Sequence, residues 1–313
     1  MIVAKSIKEL AGTLEGSCVT IGNFDGVHFG HQKLLARTRD KARSRNLVSV
    51  AVTFDPHPLR VLVGPDTPPF ITLTPQKLEL IASMGLDITL VLQFTRDMAA
   101  LEPEAFVRTY LMDGMAMREL VIGYDYAFGK GRKGDYDMLA AMGRREGFGV
   151  ERIGPVMIGD AVVSSTRIRD LVQAGKVFDV RELLGRFYVV RGRVEKGRDR
   201  GGRLLGCPTA NVRLDDELCP AMGVYAVWAE VDERVHPAVA NIGFNPTFGN
   251  EVQSVEVHIL DFDRDIYDRD MRVHFVQRLR SEKKFDSLDA LTAQIRKDIA
   301  LGRAILEQAG AQL

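Results

Sequence analysis

Two histidines three positions apart, His28 and His31, sit in the run Gly22-Asn23-Phe24-Asp25-Gly26-Val27-His28-Phe29-Gly30-His31. An apolar stretch, Cys18-Val19-Thr20-Ile21, precedes it and a helical pattern, Lys33-Leu34-Leu35-Ala36, follows, so the run reads as a strand-to-helix turn. Glycine lets a backbone bend with positive φ and come close to a ligand, and the free N–H groups of a helix start point at negative charge. The chemistry expected here is phosphate binding, with the two imidazoles adding donors to the same group. The competing reading is a glycine-rich loop whose histidines are surface residues or half of a metal site.

Other reactive residues cluster in the same kind of place. Thr53-Phe54-Asp55-Pro56-His57-Pro58 follows a second apolar run, and Gly123-Tyr124-Asp125-Tyr126-Ala127-Phe128-Gly129-Lys130-Gly131-Arg132-Lys133 follows a fourth. Val163-Ser164-Ser165-Thr166-Arg167-Ile168-Arg169 opens a helix with hydroxyls and two arginines. Alone it reads as an N-cap, and beside a nucleotide loop it reads as a set of phosphate donors. In the second half, Gly201-Gly202-Arg203-Leu204-Leu205-Gly206-Cys207-Pro208-Thr209-Ala210-Asn211 is a glycine-rich segment able to wrap phosphates. Thr209 and Asn211 are hard oxygen ligands two residues apart, hence on one side of an extended chain and suited to a shared Mg²⁺. Ser254-Val255-Glu256-Val257-His258 puts Glu256 and His258 on one face of a strand, where a carboxylate is costly unless solvated or used.

The elements that must position these groups differ between the halves. Continuous apolar runs at 18–22, 47–54, 87–94, 119–123 and 149–153 alternate with helical patterns at 31–44, 75–84, 103–112 and 136–146. This predicts a doubly wound α/β domain with a parallel sheet, whose ligands sit at the carboxyl ends of the strands, where all three histidines of this half fall. After about residue 184 the pattern becomes mostly alternating, with strands expected at 187–194, 223–231, 238–242, 252–260 and 271–277 and one amphipathic helix over 287–306. A compact antiparallel barrel with a closing helix is expected. The domain boundary is placed at 184/185, with a short linker.

The chain has 313 residues, long enough for two cores, and 42 Lys+Arg balance 42 Asp+Glu. Net neutrality argues against a general nucleic-acid or membrane-surface binder. Cys18, Cys207 and Cys219 form no CxxC pair, no signal peptide is visible, and no apolar stretch reaches the ~20 residues of a membrane span, so a cytoplasmic protein is expected. There is no GxxxxGK[ST], and the histidines and Phe24-Asp25 do not belong to a dinucleotide fingerprint, although Asp55 would suit one.

Taken in order, the GxFDGxHxGH turn, the TFxPHP loop, the GxDxxFGxxRxGD loop and the SSTxIR helix start resemble the adenylyltransferase module of bacterial bifunctional riboflavin kinase/FAD synthetases, a Rossmann-like sheet of the HxGH nucleotidyltransferase type. GxPTAN, NxGxxPTF, VEVHILDF and the closing RxEKKFxSLxAL helix resemble the riboflavin kinase module of the same enzymes. The resemblance implies two ATP- and Mg²⁺-dependent reactions, riboflavin to FMN and FMN to FAD. It implies catalytic roles for His28, His31 and Glu256, and nucleotide contacts from Gly22, Phe24, Asp25, Gly30, His57, Ser164, Ser165, Thr166, Arg169, Gly197, Gly206, Thr209 and Asn211. Thr209 and Asn211 would hold the metal, while Asp125, Phe128, Asn241 and Phe248 would touch flavin.

Departures from the family pattern are Val163 in place of Ile, an extra residue at Gly201-Gly202, Cys207 in place of an aromatic, and Asp268 in place of Gly. None falls on Thr209, Asn211 or Glu256. Two other readings compete: an adenylyltransferase whose barrel only binds flavin, and a non-enzymatic flavin or nucleic-acid binding module. The intact Thr209, Asn211 and Glu256 argue against the first. A near-neutral barrel in a chain with one Trp argues against the second. The substrates expected are riboflavin, FMN and ATP, with no nucleic-acid or membrane partner. Self-association is compatible with the sequence and not specified by it.

Overall fold

In the computed structural model, residues 1–195, 207–214, 216–245 and 252–310 are described. They form two compact units, Met1–Pro68 with Thr72–Ser164, and Pro69–Ile71 with Ser165–Leu313.

The first unit is built on six parallel strands, β1 (Ile2–Ala4), β2 (Ser17–Ile21), β3 (Val48–Phe54), β4 (Ile88–Leu92), β5 (Met117–Gly123) and β6 (Gly149–Ile153), in the order β1-β4-β3-β2-β5-β6. Strand β2 is buried at every residue and β3 along its whole interior, as expected of central parallel strands covered on both faces. The chain builds outward from β2 through β3 to β4, then crosses to the other side of β2 with β5. The topological switch point therefore lies between β2 and β5, and the crevice at their carboxyl ends is where such sheets bind ligands.

Four of the expected helices are present, at Phe29–Ser44, Thr74–Ser83, Pro103–Phe106 and Tyr136–Glu146. The third runs on as a π-helical segment, Val107–Asp113. Asp135 caps the last by accepting from the Met138 N–H, and Gly147 ends it at φ 84°. Two short strands, β7 (Met157–Ile158) and β8 (Ala161–Val162), close the unit as a hairpin.

The second unit is a closed antiparallel barrel of β9 (Tyr188–Glu195), β10 (Ala210–Leu214), β11 (Gly223–Val231), β12 (Arg234–Asn245), β13 (Val252–Ile259) and β14 (Asp270–Arg280), in the order β10-β13-β12-β11-β14-β9, with β9 pairing back to β10. Closure leaves no unpaired edge. The C-terminal helix, Leu288–Ala309, lays Leu306 on Phe187, Ala226 and Val276, and Gly302 passes Val239 where a Cβ would come within 2.8 Å.

Several expectations need correcting. Strand β1 was not anticipated, and β10 was read only as an extended segment. The helices Ser165–Gln173 and Val177–Leu184 fall in the second compact unit, the second of them burying Val177, Val180, Leu183 and Leu184.

Candidate active sites

The turn after β2 departs from ordinary backbone geometry. Gly26 has φ 85°, a glycine conformation, but Phe24 and the β-branched Val27 also lie at φ 50° and 40°. Such residues persist only where their surroundings over-determine them. Phe24 is fully buried and meets the His31 ring edge-on at 5.4 Å, and Gly22 is a glycine because a Cβ would stand 2.9 Å from the Phe24 ring. Asp25 is 4% exposed; its Oδ1 accepts the Thr72 N–H at 3.1 Å, while Thr72 Oγ1 accepts the Gly26 N–H at 3.0 Å. Phe24 and Asp25, expected as nucleotide contacts, make these contacts from the turn.

The imidazoles crown the turn. His28 caps the Phe29–Ser44 helix by accepting the His31 N–H on Nδ1 at 3.4 Å. That assigns the lone pair to Nδ1 and the proton to Nε2, leaving Nε2–H as the donor this ring can offer a ligand. The rings of His28 and His31 stack at 3.7 Å and 17°. A Cβ on Gly30 would come within 3.0 Å of His28 Cε1, so the glycine makes room for the ring. Burial, then the neighbouring His28 and Lys77, hold His31 well below the usual imidazole range. His31 is therefore neutral at pH 7 and acts as a hydrogen-bond donor or acceptor, not as a fixed positive charge. Its Nδ1 is buried and has no hydrogen-bond partner among the described residues.

His57 repeats the device. It caps the short helix Pro58–Leu62 by accepting the Leu59 N–H on Nδ1 at 3.2 Å. Across the switch point, Asp125 is exposed after β5. Phe128, expected at the flavin, stacks on Tyr126 and tilts against Phe106, and it pairs its backbone with Gly134, where no Cβ would fit beneath the ring. Ser164 ends the first unit. Ser165, Thr166 and Arg169 lie on the first helix of the second, where the Arg169 Nε donates to Pro69 O at 3.3 Å.

In the barrel, register assembles the site. Asn211 on β10 stands opposite Glu256 on β13, and Glu256 stands opposite Asn241 on β12. Directly opposed residues share a face. The alternate residues Val212, Val255, Val257, Ala240 and Ile242 are buried, so Asn211, Glu256 and Asn241 form a polar row on the outward face. Thr209 precedes Asn211 by two. The next residue of the row on β13, His258, donates from Nδ1 to Pro208 O at 2.8 Å and so fixes the chain immediately before Thr209. Partial burial raises the Glu256 carboxyl above the ordinary carboxylate range, which suits a proton acceptor. Hydroxyl and amide oxygens beside a carboxylate are the donor types Mg²⁺ prefers, and this ion usually keeps several waters and takes its other ligands from phosphate. The row fits it. Gly197, Gly206 and Phe248 lie outside the described residues, as do Gly201 and Gly202.

Sequence reasoning missed His258 as a brace and missed Lys77, whose ammonium lies under the first turn and donates to Asn23 O at 3.2 Å and Phe54 O at 3.4 Å. The i, i+2 spacing of Glu256 and His258 was a usable signal for the first. In Thr74-Pro75-Gln76-Lys77-Leu78-Glu79 nothing distinguishes Lys77 from a solvated helix lysine.

The family model described as FAD synthetase matches residues 11–167, and the one described as riboflavin kinase matches residues 184–306. A bifunctional riboflavin kinase/FMN adenylyltransferase from Pseudomonas fluorescens is 40% identical over 97% of this chain and 98% of its own length. The protein of the same description from Escherichia coli (strain K12) is 38% identical over 91% of each. The crystal structure of a protein described as a macrolide-efflux protein from Streptococcus pneumoniae matches with TM-score 0.86 and 33% identity, covering 96% of this chain and 98% of that one. Among the described residues of the present chain, no helix is long and apolar enough to cross a membrane.

Proposed function

The chain belongs to the bifunctional riboflavin kinase/FMN adenylyltransferase family, whose two activities convert riboflavin to FMN and FMN to FAD, and we propose that the two residue sets described above carry them, one in each half of the chain. The observation that supports this most is that relatives named for both activities align over nearly the whole chain, so both sets lie inside the matched length.

For the kinase, Glu256 accepts the proton of the ribityl 5′-hydroxyl as its oxygen bonds to the γ-phosphorus of ATP and the bond to ADP breaks. Asn241 borders the flavin. Thr209 and Asn211 would hold Mg²⁺, which when bound neutralises phosphate charge. For the adenylyltransferase, an FMN phosphate oxygen attacks the α-phosphorus and pyrophosphate leaves. The nucleophile is already ionised, so positioning and stabilisation of developing charge carry the rate. His28 Nε2–H and His31 donate to the phosphate oxygens over the turn, with Gly22, Gly30 and His57 shaping and lining it. Ser164, Ser165, Thr166 and Arg169 supply further phosphate donors, and Asp125 orients nucleotide or flavin. The functional division is read at about residue 184, and the reaction is placed in the cytoplasm with small molecules as its only required partners.

The test is to incubate the protein with riboflavin, ATP and Mg²⁺ and separate the flavins. FAD is expected. FMN alone would remove the adenylyltransferase assignment, and unchanged riboflavin would remove the kinase assignment.

A further inference from the structure

Lys77 breaks two local rules at once. It is a cation only 4% exposed, it sits in the first turn of the Thr74–Ser83 helix, where the backbone dipole disfavours positive charge, and burial lowers its pKa. A site that violates local preference so consistently has a compensating use elsewhere. The compensation is visible in its partners. The ammonium donates to the carbonyls of Asn23, at the start of the glycine-histidine turn, and of Phe54, the last residue of β3, while the carboxylates of Asp25 and Asp55 lie close enough to oppose the effect of burial. Asn23 O also accepts from Thr53 Oγ1 at 3.3 Å.

Lys77 therefore ties together the carboxyl ends of two adjacent central strands. The tie lies directly before the two non-glycine residues held at positive φ, Phe24 and Val27, beyond which the stacked His28 and His31 begin.

We infer that Lys77 is a positioning residue for adenylyl transfer: from beneath, it holds the strained turn in the one backbone path that presents His28 and His31 to the phosphates. It touches neither nucleotide nor flavin and transfers no proton. The inference rests on the adenylyltransferase reading of this turn. It predicts a defect in turnover more than in nucleotide binding, since displacing catalytic groups by about 1 Å costs up to ~10²-fold in rate.

The experiment measures FAD formation from supplied FMN and FMN formation from riboflavin in the full-length Lys77→Met protein. The expected result is a fall in adenylyl-transfer kcat of about 10- to 100-fold, with the KM for ATP within about threefold and kinase kcat unchanged. An adenylyl-transfer kcat within about twofold of wild type overturns the inference. So does a parallel fall in both activities, which marks a general folding defect, or a rise in KM alone, which marks a ligand contact. If Lys77→Met does not fold, Lys77→Leu, which likewise removes the donor, is read by the same criteria. A wild-type protein that makes no FAD from FMN removes the adenylyltransferase reading and this inference together; a normal wild type beside a normal variant removes the inference alone.

Discussion

The two candidate sites are built on opposite kinds of backbone. The first sets its two histidines, His28 and His31, within ten residues of one irregular turn, where glycines and two strained residues leave little freedom. The second takes its groups from three strands whose residues are far apart in the chain, and regular hydrogen-bonded register alone puts Asn211, Glu256 and Asn241 in line. A turn encodes a site locally and depends on tethers; a ladder encodes it at long range and carries its own support.

The sharpest way to break this contrast is Glu256→Gln. It keeps the shape and leaves the ladder intact while removing the proton acceptor, so FMN formation should fall by ~10²–10⁴ while FAD formation from supplied FMN continues. Wild-type kinase rates in this variant would leave the barrel without a base. His28→Ala comes next: the loss of one preorganised donor should slow FAD formation by ~10²–10³, and the loss of the helix cap should add about 1 kcal/mol of instability. Kinase rates should hold, and an equal loss in both assays would contradict two separate sites.

Gly30→Ala sharpens the comparison, because it alters no functional group. The added Cβ pushes on the His28 ring, so adenylyl transfer should fall about fivefold to tenfold, a fraction of the ~10² that a 1 Å displacement can cost. A fully active Gly30→Ala protein would show the ring to be less constrained than its surroundings imply. The smallest effect is a shift of pH profile. With the Glu256 carboxyl raised from its ordinary value of about 4.5, the base is lost to protonation at a higher pH than usual. The acid limb of kcat/KM for FMN formation should lie above that value and vanish in the Glu256→Gln protein, where nothing remains to protonate.

The same contrast decides what could be read without coordinates. The glycine-histidine turn was legible because its spacing is its geometry, and the parallel strands because burial on both faces writes them as continuous apolar runs. The ends of the elements were less so. Strand β1 is three residues long with two of them exposed, so it carries no hydrophobic signal of its own. Strand β10 hides behind Pro208 and is a strand because β9 and β13 flank it. The stack of Phe128 on Tyr126 and its pairing with Gly134 are contacts that spacing does not display. Lys77 was invisible for a deeper reason, since a buried lysine and a solvated one have the same letter and only the carbonyls it meets tell them apart.

The polar row of the barrel has a consequence for how this half can vary. Its members in the ladder are placed by parity and pairing: 211 opposite 256, 256 opposite 241, and 258 on the same face as 256. Inserting or deleting one residue inside β10, β12 or β13 would turn the functional side chains inward and their apolar neighbours out. A shift of two would restore the face and still slide the group by about 7 Å along the strand. On the kinase assignment proposed above, single-residue length changes in these three strands should therefore abolish FMN formation whichever residue is added. Single-residue deletions within 210–214, 234–245 and 252–259 should each abolish FMN formation.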